Sequence, residues 1–107
     1  MAATESMMDH LRAIRLALES FATTKGSDSR RAVIRVWPSE WADNVHAVIS
    51  IPEFDAMRSM DRQNEVWEYL RSNLPPSHRS RLSSLRTLST DEWAKVEQEP
   101  SASLLGT

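Results

Sequence analysis

The chain has 107 residues, a net charge of −2, 40% hydrophobic and 26% charged content, which fits one small globular domain and is too apolar for a disordered segment. So near-neutral a total gives phosphate no strong overall attraction and leaves nucleic acid only a local basic patch. The absence of cysteine excludes disulfides, thiolate metal sites, a cysteine nucleophile and a self-held iron–sulfur cluster.

The opening residues lack the basic start and long apolar run of a secretory signal, and Glu5 and Asp9 argue against a transit peptide. No run approaches the roughly 20 apolar residues that span a bilayer. The expected location is the cytoplasm, away from membranes. Residues 1–99 are expected to form a single domain and 100–107 a frayed tail.

Ser6 and Asp9 outline a capping box. Leu11, Ile14, Leu18 and Phe21 follow at helical spacing, with Met7 one turn earlier and Arg12, Arg15 and Glu19 on the other side. Gly26 sits where a left-handed cap would end this helix. Residues 32–37 are β-branched and aromatic and read as a strand. After a turn carrying Trp41, residues 45–51 read as a second strand. Val45, Ala47, Ile49 and Ile51 line one face, and His46, Val48 and Ser50 the other. So short a connection implies an antiparallel hairpin. Trp37 and Trp41 either cover an end of the core or form an exposed aromatic contact.

Residues 54–70 are the organising stretch. Val66, Trp67, Leu70 and Leu74 make an apolar stripe, while Asp61, Arg62, Glu65, Glu68 and Arg71 are expected in water. Ser59 is placed to cap the first turn. After Pro75 and Pro76, the leucines at 82, 85 and 88 are three apart, as in a helix, yet the serines and the proline pair favour a strand. The strand is the reading adopted. Ser89 to Glu92 is a second capping box, opening a short helix through Trp93 and Val96. The fold expected is α+β, in the order α-β-β-α-β-α, with a three-stranded sheet and helices packed on one side.

This order resembles the BolA-like family, whose fold is similar to the type II KH fold. The resemblance is carried by Phe54, Arg62, Val66-Trp67 and Leu70 at the family's spacing, and by the run Arg86 to Trp93; it covers roughly residues 7–96. Ala56 stands where the family has Gly, and Arg81 where it has a histidine just ahead of the last strand. In relatives that pair with monothiol glutaredoxins, that histidine ligates a shared [2Fe–2S] cluster. A guanidinium has no lone pair for a metal, so the resemblance implies a partner interface without that ligand. It implies docking through His78, Arg79, Arg81 and Arg86, no cofactor bound by the chain alone, and a cluster shared only within a partner complex.

His78, three residues before Arg81, is either a substitute ligand or a solvated loop residue. His46 reads as a half-buried sheet residue and His10 as solvated on the first helix. No nucleophile-elbow pattern occurs, and two glycines cannot build a phosphate-cradling or GXXG loop. The chain is therefore read as a non-enzyme. The alternative function is nucleic-acid binding through Arg30, Arg31, Arg35, Arg79 and Arg81, brought together as one patch. A scaffold or homodimer that has lost the family's chemistry is the third reading.

Overall fold

The computed structural model describes residues 6–27, 30–40 and 43–98. Trp41 and the expected tail, 100–107, lie outside the described residues. Helix α1 (Met7–Thr24) is followed by strands β1 (Val33–Pro38) and β2 (Val45–Ser50) and a 3-10 turn, Pro52–Ala56. Helices α2 (Ser59–Asn73) and α3 (Pro76–Arg79), strand β3 (Leu82–Leu88) and helix α4 (Thr90–Gln98) complete the domain. The expected α+β order is the observed one. No helix among the described residues is long and apolar enough to cross a membrane.

The ends of α1 follow from local chemistry. Ser6 Oγ accepts the Asp9 N–H and the Asp9 carboxylate accepts the Ser6 N–H, closing the capping box. At the other end Gly26 takes φ +82°, donates to Thr23 O at 3.0 Å, and lets Ser27 N reach Ala22 O at 3.0 Å. This pair of bonds is the Schellman arrangement, and the left-handed position favours a residue without Cβ.

The sheet runs in the order β1-β2-β3. β1 and β2 pair antiparallel, Ile34 opposite Ile49 and Trp37 opposite His46, as a hairpin requires. β2 and β3 pair parallel, and α2 and α3 supply the crossover that such pairing needs. Val45 is opposite Leu82 but His46 is opposite Ser84, so Ser83 is an extra residue in β3. That bulge places Leu82 and Leu85, three apart, on the same face. It also explains why a strand carries helical leucine spacing.

Both faces of the sheet are used. α1 and α2 cover one, where Ile14, Leu18 and Phe21 meet Ile34, Ala47, Ile49, Phe54, Val66, Leu70 and Leu85. The expectation that the helices pack on one side holds for α1 and α2 and not for α4. α4 lies on the opposite face, where Trp93 and Val96 pack with Val48, Leu88, Val33 and Trp37. Val48 is a β-branched residue pointing away from the main core, and a small helix is enough to bury it.

Arg62 corrects the expectation that it faces water. It is 7% exposed, in the same i, i+4 row as Val66 and Leu70. Its Nε donates to Phe54 O at 3.0 Å and Met57 O at 3.1 Å, and its Nη1 to the Glu92 carboxylate at 2.8 Å. Ser59 is likewise not a cap. It is the first residue of α2, after Arg58, and no side chain caps that end. The loop before α2 is held by Arg62 and by Asp55, which accepts from both Thr90 N and Thr90 Oγ1 at 2.8 Å. Replacing Arg62 with Met would remove three charged hydrogen bonds, to the Phe54 and Met57 carbonyls and to Glu92, although Phe54 O keeps the Met57 N–H; the expected loss is about 3 kcal/mol and a fall in Tm of roughly 15 °C. Glu92→Gln, at a half-exposed carboxylate, should cost under about 1 kcal/mol. Thermal melts of the two variants check this, and an Arg62→Met protein as stable as the parent would refute it.

Candidate functional site

The segment from α3 into β3 gathers most of the expected interface residues. Pro76 at the first turn of α3 needs no N–H partner, and His78 N and Arg79 N both bond to Pro75 O. Arg81 follows, its N–H donating to His78 O at 3.0 Å and its carbonyl accepting Val45 N at 2.7 Å. The backbone of Arg81 thus joins α3 to the start of β2, beside the turn that ends β1. Its side chain is half-buried and makes no hydrogen bond or ion pair among the described residues.

Arg79 has a different occupation. Its Nη1 donates to Arg71 O at 3.1 Å and Leu74 O at 3.0 Å, satisfying carbonyls at the end of α2 where a cation is favoured. It braces the segment from within. Arg86 is exposed on β3, in the row where Arg35, Val48 and Arg86 lie side by side across the sheet. Two inter-strand spacings separate Arg35 from Arg86, about 10 Å. The Arg35 guanidinium also lies over the Trp93 ring, 5.5 Å from its centroid.

β3 is an edge strand, and its outer side is partly occupied. Gln63 Nε2 donates to Leu85 O at 2.8 Å, and Gln63 Oε1 accepts Trp67 Nε1 at 3.1 Å. This leaves a shallow groove between α2 and α4, lined by Met60, Gln63, Arg86 and Leu88. Met60 stands 72% exposed at its rim.

The single basic patch expected from Arg30, Arg31, Arg35, Arg79 and Arg81 is not assembled. Arg30 and Arg31 precede the start of β1, which pairs with the end of β2. Arg79 and Arg81 precede the start of β3, which pairs with the start of β2. The two groups therefore sit at opposite ends of the sheet, a strand length of about 17 Å apart.

The histidines divide in another way. His46 is half-buried on β2 beside Trp37, ring centroids 5.8 Å apart, as expected for a sheet residue. His10 is not solvated: it is 5% exposed, and its Nδ1 lies 3.0 Å from Nδ1 of His78. The signal was in the spacing, because His10, Ile14 and Leu18 form one i, i+4 row of α1. Among the described residues no group of three His, Asp or Glu side chains is assembled around a metal position.

Among the described residues three carboxyls titrate below their usual range, each chiefly because a backbone N–H binds its charged form. The donors are Ser6 N to Asp9, Thr90 N to Asp55 and Ser89 N to Glu92. The Arg62 guanidinium adds to the last. No family model matches the chain, and neither does any curated protein or solved structure.

Each of these carboxyls binds its proton less well folded than unfolded. Each therefore adds stability above the ordinary values of 3.8 for Asp and 4.5 for Glu. That contribution is lost as pH falls through the lower, folded values. Urea denaturation at a series of pH values should give a plateau above about pH 5 and a decline below it. Asp55→Asn should flatten the decline. An unchanged slope would show that the Asp55–Thr90 cap does not form.

Proposed function

We propose that the chain is a non-catalytic, cytoplasmic interaction protein of the BolA-like kind, docking a monothiol glutaredoxin or another iron–sulfur handling protein. The observation that carries this reading is how the residues of the resemblance stand in space. Phe54, Arg62, Val66, Leu70 and Trp93 are all buried. Arg62 ties the Phe54 carbonyl to Glu92, the residue before Trp93. Residues that look like separate fragments in the sequence work as one lock, which supports reading them as a single inherited pattern.

Docking uses the segment 78–86. Arg81 offers a guanidinium with no partner among the described residues, held by a backbone anchored at both ends. Such a group recognises a carboxylate in a planar, two-point fashion, on the partner or on glutathione. Arg86 extends the cationic edge, and Arg79 supports it from behind. The residues do not fit ligation of a cluster from position 81, since an arginine has no lone pair to give. The docking described here therefore depends on charge recognition and routes nothing through a cluster. The nucleic-acid reading has less support, because its arginines are split between the two ends of the sheet.

Gel filtration of an equimolar mixture with a cluster-loaded monothiol glutaredoxin should give a co-eluting complex. Arg81→Glu should weaken that complex by at least about tenfold, equivalent to ~1.4 kcal/mol. No co-elution, with the cluster's visible absorption unchanged, would overturn the reading. Salt-sensitive retardation of labelled DNA or RNA without a glutaredoxin complex would put the nucleic-acid function in its place.

A further inference from the structure

We propose that His10 and His78 form a binding site for one divalent transition-metal ion, of the zinc or nickel class, at the seam between α1 and α3. Their two Nδ1 atoms approach to 3.0 Å, with the rings inclined at 76° and their centroids 5.1 Å apart. Two imidazole nitrogens bound to one cation at about 2.0–2.1 Å stand about 3.0 Å apart at a right angle and about 3.4 Å apart at the tetrahedral angle. The pair is thus at the spacing of adjacent ligands on a square or octahedral ion, and a few tenths of an ångström short of tetrahedral zinc. Without metal, one Nδ1 carries the hydrogen that the other accepts. With metal, that hydrogen resides on Nε2 of the same ring, so the neutral pair binds the ion without net loss of a proton.

The setting suits a site better than a chance contact. His10 is fixed, 95% removed from solvent by its place in the buried row of α1, so one donor is already oriented. His78 is half-buried and borders a cleft of about 370 Å³ between α1, the end of α2 and α3, lined by Ala13, Leu16, Tyr69 and Pro75. His78 is the ring of the pair on that open side. The Asp9 carboxylate is within electrostatic reach of His78 and favours positive charge. The neighbouring Arg79 guanidinium is turned to the carbonyls ending α2, and the Arg12 guanidinium interacts with Asp9. Since no third protein group completes a set among the described residues, water or a partner's donor fills the remaining positions. Soft-to-borderline ions that take imidazole are the expected ligands; hard ions that want oxygen are not.

A bound ion would staple α3 to α1 and so stiffen the backbone leading into Arg81 and β3. The site does not depend on the docking function, and its test uses the protein alone. Titration with NiCl2 and ZnCl2, followed by calorimetry and by NMR of the histidine ring protons, should show saturable binding of one ion per chain. The signals of His10 and His78 should be perturbed while His46 is unmoved. His78→Ala, at a half-exposed position, should weaken binding at least tenfold with the far-UV spectrum unchanged, and His10→Gln should do the same. MgCl2 should have no effect. Absence of saturable binding, binding undiminished in His78→Ala, or perturbation centred on His46 or the N-terminal residues would overturn the site. Should His10→Gln fail to fold, His78→Ala decides alone. A glutaredoxin complex together with no saturable metal binding by the chain alone would leave the docking reading standing and remove this one.

Discussion

The structure depends on a single buried guanidinium. Arg62 projects from the start of α2 into the turn that follows β2, is nearly shut off from solvent, and gives the Met57 carbonyl a charged donor and the Phe54 carbonyl a second donor beside the Met57 N–H. A buried cation is costly unless it is paired and hydrogen-bonded. Here Nη1 donates to Glu92, which also closes the capping box of α4 through Ser89. The side chain therefore sets three things together: the path of the 3-10 turn, the entry angle of α2 and the seat of α4. Phe54, wholly buried, belongs to that turn and sets its ring against Phe21 in the core.

That constraint was legible only in part. The i, i+4 row Arg62, Val66, Leu70 runs along the apolar stripe, and its spacing marks Arg62 as inward. Residue type alone sends an arginine to water, and nothing local announces the two carbonyls it must reach. The first helix shows the same tension, where His10 heads the row of Ile14 and Leu18. Periodicity located both side chains; the partners waiting for them were tertiary. The strand at 82–88 is the converse case. Its leucine spacing is helical, and the extra residue at Ser83 reconciles that spacing with a strand by letting Leu82 and Leu85 share a face.

The surface was less legible than the core, for a topological reason. Arginines close in sequence to two strands look adjacent when strand direction is ignored. The first ladder is antiparallel and the second parallel, so β1 begins at the end of the sheet where β3 finishes. Charges ahead of β1 and ahead of β3 are therefore kept apart, and those within the strands, Arg35 and Arg86, come level. Arg79 shows how a side chain with the right charge for an interface can be committed to helix carbonyls instead.

The two ladders of the central strand also differ in when the chain can make them. The hairpin partner of β2 lies one short turn away, whereas its parallel partner is available only after the whole crossover has been laid down. A polypeptide leaving the ribosome N-terminus first therefore holds Val45–Ser50 with one side unpaired for as long as it takes to complete residues 51–88. During that interval an apolar strand presents open N–H and C=O groups to any other extended chain. Proteostasis during synthesis, more than the finished fold, is where this topology leaves the molecule vulnerable.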